Sequence, residues 1–230
     1  MIYVPGLTVG QLSGRAGNTV ARANPNATTI GVHRPRRQPL TPNNQLARAS
    51  FSDISILYKT LTSGQLLDWA ALGQDIEITG RLDRTFALSG RTAFFQVNRN
   101  LFAIGQPYVV DAPAIDIPSS PADLAGDAVT EPTATPLLEL TFTPDPIDAD
   151  TTVIISATRP LSSSVLAFPV SGWKQLALAD DGDTGPYDIT AAYLSRFGSW
   201  HVGNQIGLQV VTVNYAGFAS VKNQLFITST

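Results

Sequence analysis

Ile206-Gly207-Leu208-Gln209-Val210-Val211-Thr212-Val213 is the most regular stretch of this 230-residue chain, with Ile206, Leu208 and Val210 separated by Gly207 and Gln209 and the apolar character continuing to Val213. Strand side chains point alternately to opposite faces, so apolar residues two apart line one face of a sheet. The same period recurs on both sides: Val221, Leu225 and Ile227 follow, while Leu138, Leu140 and Phe142, and then Val153 and Ile155, precede. Each run is short and bounded by Pro, Gly, Asp or Asn. Several such strands within 122–230 predict a β-sandwich.

Upstream the period changes. Pro107, Pro113, Pro118 and Pro121 fall at short intervals and predict a stiff, extended linker over 106–121. Before it, 41–105 reads as a helical unit. A first helix starts at Thr41-Pro42, where Thr can cap and Pro occupies the tolerated first position, and runs to about Leu61. Leu46, Ile54, Leu57, Tyr58 and Leu61 fall on its apolar face. A second opens with the capping-box pattern Thr62-Ser63-Gly64-Gln65, buries Leu66, Trp69, Ala70 and Leu72, and closes at Gly73. A third covers Ser89 to Gly105, with Ala93, Phe94, Val97, Leu101 and Phe102 on one stripe and Arg91 and Arg99 elsewhere. Ile76–Leu88 has the composition of a short β-hairpin. Residues 1–40 are broken by Gly14, Gly17, Gly31, Pro25, Pro35 and Pro39, with β-prone pieces at Ile2–Val4, Thr19–Ala23 and Thr28–Val32. They predict an extended arm that orders on a neighbour, with a disordered tail as the alternative. The expected class is therefore α+β in two parts: an arm and small helical unit, then an all-β sandwich.

Charge is distributed as unevenly as period. The first 52 residues contain no Asp or Glu but six arginines: Arg15, Arg22, Arg34, Arg36, Arg37 and Arg48. Residues 1–110 hold eleven Lys/Arg against five Asp/Glu, and residues 111–230 hold four against thirteen. A one-signed segment needs a partner that neutralises it. Acids of a second copy can supply this, with Asp180, Asp181 and Asp183 as the expected counterparts, through bidentate Arg–carboxylate bonds. The major protein of a larger particle is an equivalent partner for the arm. Nonspecific nucleic-acid contact is the competing use of the arginines, without any base-reading module beside them. The 14% charged content lies below the roughly 25% of ordinary soluble domains and points to surface covered by neighbours.

Catalysis is not expected. The chain has no cysteine, two histidines (His33 and His201) outside any acid–base constellation, and no Gly-x-Ser-x-Gly elbow. No nucleotide-cradling loop occurs, because Gly14-x-x-Gly17 follows no buried strand and lacks a Lys-Ser/Thr partner. No cofactor and no metal are expected. The carboxylates Asp145/Asp148/Asp150 and Asp180/Asp181/Asp183/Asp188 are the only candidate calcium ligands, and ordinary turn chemistry, the preferred reading, accounts for both clusters. Trp173, Trp200 and Tyr193 could stack on sugars, which makes a carbohydrate- or cell-surface-binding module the alternative function, although large aromatics in a sandwich more often belong to its core. The N-terminus has neither the basic residue nor the apolar run of a signal peptide, and no apolar stretch reaches membrane-spanning length. Synthesis in the cytoplasm is the expectation.

Pro121-x-x-Leu124, Leu137–Thr143, Val153–Ala157 and Gly207–Tyr215 followed by Ala216-Gly217-Phe218-Ala219-Ser220 resemble a fibronectin type III domain. The closing Val-Asn-Tyr-x-Gly-x-x-Ser is the most family-like part, while Trp173 and Trp200 lie later than the family's usual core Trp. The resemblance implies an Ig-like sandwich and no particular role. The first 110 residues resemble uncharacterised bacterial and bacteriophage proteins in Gly14-Arg15-Ala16-Gly17, Arg34-Pro35-Arg36-Arg37, Thr41–Gln45 and Asn98–Leu101. That implies a structural component of a virion, a capsid-decorating accessory before a tail or head–tail junction protein.

Overall fold

The computed structural model describes residues 2–3, 14–16, 19–24, 27–32, 42–79, 85–129, 136–145, 147–165, 167, 169 and 172–230. The chain divides into two compact units, Met1–Ala47 and Arg48–Thr230. In the first, β1 (Ile2–Tyr3), β2 (Gly14–Ala16), β3 (Thr19–Asn24) and β4 (Ala27–Val32) form an antiparallel sheet in the order β1-β4-β3-β2. The β-prone pieces of the arm are thus paired with one another, Arg22 opposite Thr29 and Arg15 opposite Val20.

Three helices follow: α1 (Pro42–Lys59), which begins before the boundary at Ala47, α2 (Ser63–Asp75) and α3 (Gly90–Ala103), with a hairpin of β5 (Glu77–Thr79) and β6 (Thr85–Ala87) between the last two. The expected capping box is formed: the Gln65 N–H donates to Thr62 Oγ1 at 3.3 Å and the Thr62 N–H to Gln65 Oε1 at 2.9 Å. Ser89 caps α3 by accepting from the Thr92 N–H. Gly73 does not end α2. It lies buried inside that helix, where a Cβ would stand 2.6 Å from the Leu88 carbonyl oxygen, so its role is to let the chain entering α3 approach. Leu46, Leu66, Ala70 and Phe102, expected inside, are exposed. Leu46 is eight residues from Ile54 and Phe102 eight from Phe94, about 80° round a 3.6-residue helix, which puts both at the edge of their stripes.

The sandwich has two antiparallel sheets. One contains β10 (Lys174–Ala179), β9 (Thr151–Ala157), β12 (Gln205–Asn214) and β13 (Asn223–Thr228) in that order; the other contains β11 (Tyr187–Asp188), β8 (Leu137–Thr143) and β7 (Ala122–Val129). A two-sheet antiparallel sandwich following a helical part is the α+β arrangement expected. Between the sheets, Val153, Ile155, Ile206, Leu208 and Val210 meet Leu138, Leu140 and Phe142. The short helix α4 (Thr190–Phe197) contributes Tyr193, fully buried with its hydroxyl donating to the Thr158 carbonyl at 3.0 Å, and Trp200 packs edge-on against it. Val221 lies just before β13 and is 78% exposed, not a core position of the last strand.

The outer face of the four-stranded sheet is covered as well. Ile154, Val211 and Val213 point away from the inter-sheet core and join Ile54, Trp69, Leu72, Phe94, Val97 and Leu101 in a second apolar cluster. β9 and β12 are therefore sandwiched on both faces, by the second sheet and by the helices. Gly217 makes the closest part of this contact. Its φ is +88°, a conformation that side chains disfavour, and a Cβ would stand 2.6 Å from Val97 Cγ1.

Candidate interaction surfaces

Of the arginines singled out, Arg34, Arg36 and Arg37 lie outside the described residues, and for Arg15 and Arg22 only the strand backbone is described. Arg48 is exposed on α1. His33 also lies outside the described residues, and His201 is exposed in the turn before β12.

The two carboxylate clusters meet at one end of the sandwich. The loop after β8 and the loop after β10 are laced together: the Ile147 N–H donates to the Asp183 carbonyl at 3.0 Å and the Gly182 N–H to the Ile147 carbonyl at 3.1 Å. The side chains serve this turn. Asp180 accepts from the Thr152 hydroxyl at 3.1 Å, Asp183 from the Asp180 N–H at 2.9 Å, and Asp145 from the Gly185 N–H at 3.0 Å. Asp181 accepts a longer bond, 3.4 Å, from the Asp150 N–H. Gly182, with φ +74°, turns the loop, and Asp180, Asp181 and Asp183 stay exposed. Among the described residues no group of three or more His, Asp or Glu is placed to hold a metal ion.

Acids crowd the adjoining aromatic. Tyr187 stacks on Phe142 at 4.8 Å and donates to the Asp183 carbonyl; partial burial, with the Asp145 and Asp183 carboxylates adding to it, pushes its phenol up to about 12. Asp188, beside it, is held below the usual carboxylate range by hydrogen bonds from Thr190, whose N–H donates to it at 2.9 Å.

The helical layer carries a second feature that sequence reasoning did not identify. Phe51, Thr92, Phe95, Gln96, Arg99, Asn100, Ala103 and Lys222 line an open groove of about 570 Å³. This volume falls within the range of ligand-sized clefts. Its apolar floor is the Phe51–Phe95 ring pair, with centroids 4.8 Å apart. Arg91, outside the lining, lies 5.5 Å above the Phe95 ring of this floor and 5.8 Å above Tyr58. Among the described residues no acid lines the groove. The available signal was the α3 stripe Thr92-Gln96-Arg99-Ala103, spaced at helical period opposite the buried stripe; Lys222 reaches the same place only through the fold.

Trp200 and Tyr193, weighed as sugar-stacking platforms, are core residues with almost no exposed surface. Trp173 is partly buried, its indole N–H donating to the Pro169 carbonyl at 2.8 Å.

No family model matches the chain, and no curated protein matches it. Among solved structures the chain is similar to a Fn3-like protein from Clostridium thermocellum, at 15% identity and a TM-score of 0.30, over 50% of this chain and 96% of that one. The sandwich itself is defined by the strand order and shared core described above.

Proposed function

We propose that this chain is a non-enzymatic structural component of a bacteriophage-like virion, an accessory that decorates the particle and is anchored by its basic N-terminal segment. The observation that carries this reading is the pairing of charge with architecture. Met1–Ala47 forms a compact unit of its own, and no acid occurs in it to neutralise its arginines. Arg48–Thr230 forms the other unit and holds all eighteen acids of the chain. A basic unit of this kind is suited to lie on an acidic neighbour, the major protein of the particle, while the acid-rich sandwich faces outward.

The test uses the full chain and a variant carrying Arg34→Ser, Arg36→Ser and Arg37→Ser, alongside deletion of residues 1–40. The expected result is loss of co-sedimentation with the purified particle, with an unchanged circular dichroism spectrum for the serine variant. Unimpaired incorporation of all three proteins overturns the anchoring role. Titration of duplex DNA separates the nucleic-acid use of the same arginines, because six neutralised phosphates give a log–log salt slope of roughly −5.

A further inference from the structure

We infer that the groove between α1 and α3 is a docking site for the Asp180-Asp181-Gly182-Asp183 turn of a second copy of this chain. This goes beyond the virion reading and does not depend on it, since the contact belongs to the purified chain alone.

Three observations converge. The groove has an exposed aromatic floor, Phe51 being 57% exposed, flanked by Arg99 and Lys222, with Arg91 over the Phe95 ring and, among the described residues, no acid in its lining. The chain itself offers the complementary shape and charge. Asp180–Asp183 is a four-residue turn closed by the Asp183 N–H on the Asp180 carbonyl at 3.1 Å, with its acids exposed. Lastly, that turn is preorganised. The hydrogen bonds from Thr152, Asp150 and Asp180 hold the carboxylates in place, yet each takes one of about four acceptor sites on a carboxylate, leaving the others for Arg99 and Lys222. A partner already held in its bound shape loses little conformational freedom on docking. Thr92 and Gln96 add hydrogen-bonding groups along the same α3 edge.

The chain has no cysteine, which makes a direct test simple. Sedimentation of the full chain should show self-association that weakens about ten-fold or more as salt rises through the range where the Debye length shrinks from roughly 10 Å to roughly 3 Å. A groove-reversed variant (Arg99→Glu with Lys222→Glu) and a turn-reversed variant (Asp181→Lys with Asp183→Lys) should each be monomeric when alone. Mixed one to one they should associate again, because the acidic groove of one meets the basic turn of the other. Independently, Ala103→Cys in the groove lining with Thr184→Cys beside the turn, placed in one chain so that every charge of the contact is kept, should oxidise to covalent multimers, and either single cysteine should not. A wild-type chain that stays monomeric at low salt and high concentration overturns the inference. So does self-association that neither charge reversal disturbs. If a reversed variant fails to fold, the cysteine pair on the otherwise unchanged chain gives the answer, and absence of cross-linked multimers counts against the contact.

Discussion

Asn98 and Asn100 explain why a polar pair interrupts the apolar stripe of α3. Asn98 is fully buried; its Nδ2 donates to the Phe94 carbonyl at 3.0 Å and the Val109 carbonyl at 3.1 Å, and its Oδ1 accepts from the Val109 N–H at 2.8 Å. It clamps the chain leaving the helix. Asn100 donates to the Gly217 carbonyl at 2.8 Å and ties the helix to the turn between β12 and β13. Asn98→Ala strands Val109's two backbone groups, and we expect a loss of about 1–3 kcal/mol in urea denaturation. Asn98→Asp should cost more, since a carboxylate oxygen would replace the donor that faces two carbonyls. The Val-Asn-Tyr-x-Gly-x-x-Ser segment is structural in the same sense: Asn214 Oδ1 accepts from the Phe218 N–H at 2.9 Å and Ser220 Oγ from the Thr212 N–H at 3.0 Å. Both motifs stood out in the sequence. Their partners, 11 and 117 residues away for the first pair, did not, because side-chain hydrogen bonds of that span leave no local pattern.

α2 shows how far local chemistry carries an element and where it stops. Thr62 and Gln65 satisfy each other's N–H groups, as their spacing predicts, and Gln65 Nε2 also reaches Asp111 Oδ1 at 2.8 Å. Thr62→Ala should therefore lower stability by about 1 kcal/mol, and Gln65→Ala should also release the segment around Asp111, detectable as faster amide exchange there. The C-terminus was harder to read. Gly73 carries the usual stop signal for a helix, but α2 continues to Asp75 because the missing side chain is used for close packing against Leu88. A glycine's two uses, left-handed termination and close approach, look the same in sequence. β12 posed the related problem in a strand. Its Val210-Val211-Thr212-Val213 departs from strict alternation because both of its faces are covered.

For the molecule as a whole, the acid end of the sandwich sets the response to pH. Tyr187 is neutral in the fold up to about 12, against 10.0 for a free phenol, so the folded state holds its proton where the unfolded chain releases it. Stability from this group is complete below about pH 10 and declines as pH rises toward 12. Burial raises Tyr193 in the same direction. Asp188 acts at the other limit: its depressed value contributes stability above about pH 4 that is lost as pH falls further. Denaturation midpoints measured from pH 9 to 12 should fall, and Tyr187→Phe should flatten that fall; an unchanged slope would remove Tyr187 from the account.

Periods of two and of helical repeat, caps, prolines and the one-signed charge of the first 52 residues are local properties, and they were enough to place α1, α2, α3, the principal strands and the α+β order, but not the short helix α4 inside the region expected to be all-β. Depth was not readable from them. Which face of β12 the helices cover, that Trp200 and Tyr193 close a core and not a sugar site, and that Lys222 meets Phe51 and Arg99 across one groove all depend on packing between residues far apart in the chain. Burial and adjacency of that kind are set by how whole layers cover one another, and a one-dimensional pattern records only which residues are fit to be covered.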